Sequence, residues 1–91
     1  MENFSFLKTQ PEINMEIAER VRQRRKEKNL TQEQLAIRSG VSFGSIKRFE
    51  RTGEISLSGL VKISFALGCE DDFEELFAKK KYKSISEIIS G

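Results

Sequence analysis

The side chains best suited to chemistry in this chain lie between Thr31 and Gly53, in the run TQEQLAIRSGVSFGSIKRFERTG. Phe43, Gly44, Ser45, Lys47 and Arg48 share one face of a short helix, and Ile46 and Phe49, three apart, share the other. A short, neutral first turn followed by a cationic second turn suits a helix whose N-terminal end enters the major groove of duplex DNA. Lys47 or Arg48 can donate to guanine O6 and N7, and Phe43 can pack on a thymine methyl. Catalysis has far less to work with. The 91 residues contain no histidine, one cysteine, no Gly-rich phosphate loop and no strand-turn-helix context for a nucleophile. Asp71 and Asp72 are adjacent, so on a helix they point about 100° apart and do not form a general acid/base pair. No enzymatic activity, cofactor or metal is expected.

The elements that must hold this face follow from local signals. Thr31 is a good N-cap and Gln34 completes a capping box, which starts a helix whose buried stripe is Leu35 and Ala36. Ala36 is small enough for a second helix to cross at close range. Gly40 is free to take positive φ and turn the chain. Val41 packs beneath that turn and Ser42 caps the second helix, so the run reads as a helix-turn-helix. Upstream, a helix is expected from about Ile13 or Asn14 to Lys28, with Ile17, Ala18 and Val21 facing inward and Asn29 ending it in a left-handed conformation. Its later part, Arg20, Arg22, Arg24, Arg25, Lys26 and Lys28, is almost wholly basic and divides between a solvated face and phosphate contact. Downstream, Arg51, Thr52, Gly53 and Glu54 are expected to form an exit loop, with Arg51 able to point at a phosphate. Ile55 and Leu57 should return to the core. Ser56 or Ser58 should cap a helix with Leu60, Ile63, Ser64 and Leu67 on one face and Gly68 at its end.

Length and charge frame this reading. Ninety-one residues make one domain, which buries only about 60–65% of its unfolded-chain surface and gains from a partner. The net charge is +2, with residues 1–53 carrying 11 Lys/Arg against 7 Asp/Glu and residues 54–91 carrying 5 against 7. The basic half holds the motif, as a phosphate footprint should. One cysteine cannot form an internal disulfide, no apolar run is long enough to span a bilayer, and MENFSFLKTQ lacks the features of a signal peptide, so a cytoplasmic location is expected. Residues 1–12, with the sole proline Pro11, are expected to be an arm, although Phe4, Phe6 and Leu7 call for a surface to pack on. Cys69 is expected to be a small buried hydrophobe, because no histidine exists to activate it. Glu70, Asp71 and Asp72 suit the start of a fifth helix. Residues 78–91 hold a lysine run and then YKSISEII, whose Ser84 to Glu87 is a candidate capping box and whose Tyr82, Ile85, Ile88 and Ile89 otherwise fit a strand.

Gln32 to Glu50 resembles the helix-turn-helix of the Cro/CI repressor family, also called XRE-type regulators. The resemblance extends to the basic first helix, Arg20 to Lys28, followed by Asn29 and Leu30. It continues through the Ser/Leu-rich fourth helix, Ser56 to Leu67, and the acidic start of a fifth, Glu70 to Phe77, so that it covers residues 13–77. It implies an all-α, compact five-helix lambda-repressor-like domain, preceded by an arm at 1–12 and followed by an extension at 78–91 for dimer or partner contact. It also implies base-edge contacts at Phe43, Gly44, Ser45, Lys47 and Arg48, with Gln32 and Ser42 holding the DNA backbone. Family members often carry amide side chains where Phe43 and Gly44 stand, so adenine readout is not expected here. The same resemblance places Arg25 in a partly buried pair with Glu50, and a cationic partner would explain a carboxylate in the last turn of a helix. Homodimeric binding to a palindromic operator follows, each recognition helix 42–51 taking one half-site, with centres about 34–36 Å apart. Phe65, Phe73, Phe77, Tyr82 and Ile85 are the expected dimer or partner interface. Three roles fit: a free-standing repressor, an antitoxin resembling the HipB-like group that binds a HipA-type kinase toxin, for which KRFERTGEISL is the similar stretch, and an interaction adaptor that no longer binds DNA.

Overall fold

The computed structural model describes residues 7–80, which form four α-helices and a closing 3-10 helix. These are α1 (Gln10–Glu27), α2 (Gln32–Ser39), α3 (Phe43–Thr52), α4 (Leu57–Leu67) and the 3-10 segment Glu70–Glu75. The fold is all-helical, as the patterning predicts. Tyr82 and Ile85, with Phe4 and Phe6, lie outside the described residues. Among those residues no helix is long and apolar enough to cross a membrane.

Every α-helix starts on a hydroxyl. Thr9, Thr31, Ser42 and Ser56 each accept the amide of the residue three ahead, which satisfies one of the orphan donors of the first turn. At Thr9 and Thr31 the boxes are reciprocal, with Glu12 and Gln34 reaching back to the cap amides at 2.8 Å in both cases. The chain then leaves three of the four helices through left-handed glycines, Gly40, Gly53 and Gly68, and turns after α1 at Asn29 with φ 57°. Such tight punctuation leaves the connections little freedom.

The core is built from Ala18, Leu30, Leu35, Val41, Ile46, Phe49, Ile63 and Leu67, with Ile17, Val21, Ala36, Ile55 and Leu60 packed around it. Helix α3 packs on both α1 and α2, while α4 packs on α2 and the 3-10 segment. The recognition helix therefore rests on two supports. Its amphipathic split is complete: Ile46 and Phe49 are buried, and Phe43, Gly44, Ser45, Lys47 and Arg48 are exposed.

Three expectations are corrected. The first helix begins at Gln10 rather than at Ile13 or Asn14, because Pro11 occupies its first turn, where no amide partner is needed and φ is already suitable. Residues 10–12 belong to that helix, not to an arm. Helix α3 carries on through Arg51 and Thr52, so the exit loop starts at the left-handed Gly53 rather than at Arg51. Leu57 does not return to the core but is 67% exposed, because Ser56 caps α4 and puts Leu57 at its first position. The expected fifth helix is present at the acidic segment, as the 3-10 helix Glu70–Glu75.

Candidate nucleic-acid interface

The first turn of α3 is held by its own side chains. Ser42 Oγ accepts the Ser45 amide at 3.1 Å, and the two hydroxyls are hydrogen-bonded at 2.8 Å. Gly44 has open space where a Cβ would stand, so the outer surface of the turn is flat backbone. Phe43 is 40% exposed, and Lys47, four residues on, sets its ammonium 5.0 Å from the ring centroid. Ring and cation therefore present themselves together on the outer face. This stack is invisible in composition, although the i, i+4 spacing of Phe and Lys is its signal.

Arg48 lies one position further round the exposed face, and its Nη2 donates to Glu54 Oε1 at 3.2 Å. Glu54 was not among the residues read from sequence as belonging to this surface. Five residues, the last of them the left-handed Gly53, separate the two, so only the turn brings them together. Arg51, in the last turn of α3, is exposed and has no carboxylate partner among the described residues, which favours both the helix terminus and a phosphate.

Behind this face sits a buried ionic junction. Arg25 and Glu50, expected to pair, meet in a two-pronged geometry: Nε donates to Oε2 at 2.7 Å and Nη2 to Oε1 at 2.9 Å. The remaining prong, Nη1, donates to the Leu30 carbonyl at 2.7 Å, tying the end of α1 to the turn before α2. Gln32 Nε2 also donates to Glu50 Oε1, at 2.9 Å, and Arg22 Nε lies 4.0 Å from the same oxygen. Burial pushes the Glu50 carboxyl upward, but hydrogen bonds from Arg25 and Gln32 and the charges of Arg25 and Arg22 outweigh it, and the group titrates below the ordinary carboxylate range. The Arg25 guanidinium is correspondingly held more firmly protonated by its bonds to Glu50, against the opposing effect of burial. Each of the three Arg25 nitrogens and both Glu50 carboxylate oxygens has a hydrogen-bond partner, as a buried ion pair requires.

Gln32, expected at the DNA backbone, also takes part in the junction. One N–H of its amide nitrogen is given to Glu50, so the side chain links the start of α2 to the end of α3. Ser42 is the exposed N-cap of α3, with its hydroxyl engaged by Ser45. Of the residues expected at a dimer or partner interface, Phe65 and Phe77 are exposed, at 63% and 95%, and Phe73 is half-buried; Leu76 beside them is exposed too. Phe65 lies on α4, Phe73 in the 3-10 segment, and Leu76 and Phe77 just after it. Cys69 is half-buried with its Sγ 3.6 Å from the Leu67 carbonyl, packed at the edge of the core.

Comparison with known proteins agrees with this geometry. No curated protein and no solved structure gives a match. A helix-turn-helix family model matches residues 21–73, from the middle of α1 into the 3-10 segment. That span takes in both helices of the motif, the buried junction behind them and more than half of the sequence, and the chain belongs to the helix-turn-helix family of Cro/CI or XRE type, a family of DNA-binding regulators.

Proposed function

We propose that this regulator is a transcriptional repressor that binds a palindromic operator as a homodimer, with α3 of each copy in the major groove of one half-site. The observation that carries the reading is the outer face of α3. Phe43, Gly44, Ser45, Lys47 and Arg48 are all exposed on it, on a helix whose inner face is locked by Ile46, Phe49 and the Arg25–Glu50 junction. A reading surface of this kind needs rigidity, because a base-edge hydrogen bond tolerates little displacement. Lys47 and Arg48 supply donors for guanine, and Phe43 supplies an apolar contact for a thymine methyl. Arg51, at the cationic end of the helix, meets phosphate and adds affinity without sequence preference. Exposed Phe65, Leu76 and Phe77 give the chain apolar surface to bury against a second copy.

The test is a salt titration of binding to the duplex upstream of the chain's own gene, beside a random duplex of equal length, with sedimentation of the free protein. The reading expects a dimer that prefers the upstream duplex by at least about 10³-fold and whose affinity falls steeply with salt. Equal affinity for both duplexes would overturn it and favour a protein-binding adaptor.

A further inference from the structure

Of the three cations on α3, Lys47, Arg48 and Arg51, Arg48 alone is paired with a carboxylate among the described residues. The position of that carboxylate is fixed by backbone. Gly53 caps α3 with φ 81°, its amide donating to the Phe49 carbonyl at 2.7 Å. A Cβ on Gly53 would stand 2.8 Å from the Asn14 Cβ and 2.9 Å from its carbonyl carbon, so the turn is pressed directly on α1. Thr52 completes the brace: its hydroxyl donates to the Arg48 carbonyl at 2.7 Å and accepts the Glu54 amide at 3.2 Å. Glu54 is thus delivered to the edge of the reading face, with its side chain still 57% exposed beside an Arg48 that is 62% exposed.

We propose that Glu54 is a specificity-determining residue, which makes Arg48 a reader of guanine and a poor ligand for phosphate. The inference rests on the reading that α3 enters the major groove. A guanidinium carries five N–H donors in a planar fork, and Glu54 occupies one edge of Nη2, leaving donors for guanine O6 and N7. Guanine is a neutral acceptor pair, so it is bound through hydrogen bonds and loses little when the net charge of the donor falls. Phosphate is bound chiefly through charge and the release of condensed counterions. The Arg48–Glu54 pair is neutral overall, and its carboxylate repels an approaching phosphate. The pair therefore favours the base edge over the backbone, and Arg51 and Lys47, which have no such partner among the described residues, do not share that bias. The glutamate lowers the background against which the operator is found.

The experiment uses the full chain, a duplex selected by the wild type from a random pool, and an unselected random duplex, each titrated across salt. Four proteins are compared: the wild type, Glu54→Gln, Arg48→Ala and the double variant, with thermal melts to show that all are equally folded. Glu54→Gln should bind random duplex about fivefold more tightly near 0.15 M salt, with a slope steeper by about one per copy, and should gain less on the selected duplex, so that the specificity ratio falls. In the Arg48→Ala background the same substitution should change neither ratio nor slope. An unchanged ratio and slope in Glu54→Gln would overturn the inference. So would an equal gain in the Arg48→Ala background, which would mean simple repulsion of DNA by a surface charge. A wild type that selects no duplex would overturn the groove-binding reading, and this inference with it.

Discussion

Two arginine–glutamate pairs lie on opposite sides of α3, and the difference between them separates what holds the helix from what the helix presents. In the pair behind it, the side chains of Arg25 and Glu50 are 10% and 5% exposed, the contact is doubled, and Gln32 and the Leu30 carbonyl complete the hydrogen bonding. The pair on its outer face, Arg48 and Glu54, makes a single 3.2 Å contact in open solvent. The chemistry is the same in both. Burial decides what each can do, since a desolvated ion that loses its partner stays desolvated, whereas an exposed one is rehydrated at once. The inner pair is accordingly a structural joint between α1, α2 and α3, and the outer pair is free to exchange one acceptor for another.

The largest test of that contrast is stability. Glu50→Ala should destabilise the fold by about 3–5 kcal/mol, measured by chemical denaturation, because it leaves the Arg25 guanidinium buried and unpaired. Glu54→Ala should stay within about 0.5 kcal/mol of the wild type. Comparable losses in the two variants would dissolve the distinction. Acid sharpens it. Glu50 titrates lower in the folded chain than its ordinary value of 4.5, so its stabilising contribution is present above that value and is lost as pH falls through the lower folded one. Glu12, held down by its hydrogen bonds to Thr9 at the α1 cap, has the same sign but is fully exposed. Stability should therefore fall steeply below about pH 4.5 in the wild type and less steeply in Glu50→Ala.

The next effect concerns the turn that separates the two pairs. Gly53 and Gly40 have nearly the same φ, 81° and 77°, but a Cβ at Gly40 meets nothing within 4 Å whereas one at Gly53 collides with α1 backbone. Gly40→Ala should cost about 1 kcal/mol, the price of a left-handed alanine. Gly53→Ala adds the collision and should cost about 2–3 kcal/mol, while also displacing Glu54 from Arg48. Equal losses in a thermal melt would mean that α1 yields easily and that the turn is less rigid than its contacts imply.

Much of this arrangement was legible in the residues. The caps at Thr31 and Ser42, the left-handed turns at Asn29, Gly40 and Gly68 and the buried Ile46 and Phe49 all follow from local rules, which act within one turn of chain. The partnership of Arg25 with Glu50 spans 25 residues and was expected only from resemblance, since no periodicity relates the end of one helix to the end of another. Three misreadings share a cause. Pro11 is expected in an arm but stands in the first turn of α1, the exit loop is expected from Arg51 but α3 runs to Thr52, and Leu57 is expected inward but Ser56 starts the helix beneath it. In each case the residue type was judged correctly and its position in the helix was off by one to three, which is enough to turn a side chain from core to solvent. Glu54 went unassigned for a different reason: its neighbour is chosen by the geometry of Gly53, which sequence spacing does not encode.

The smallest effects separate the two arginines of α3 by what they read. Arg48→Ala should leave stability within about 0.5 kcal/mol of the wild type, yet cost about 1–3 kcal/mol on a preferred duplex and relax the choice at one base pair of each half-site. Arg51→Ala, on a residue with no carboxylate to neutralise it among the described residues, should weaken preferred and random duplexes alike by about 1 kcal/mol and flatten the salt slope by about one per copy. The two variants can be compared in a single set of salt titrations. Equal loss on both duplexes for Arg48→Ala would place that side chain on phosphate and remove the functional half of the contrast between the two ion pairs. A loss confined to the preferred duplex for Arg51→Ala would shift base reading toward the C-terminal end of α3, and the first turn with Phe43 would then stand back from the groove floor.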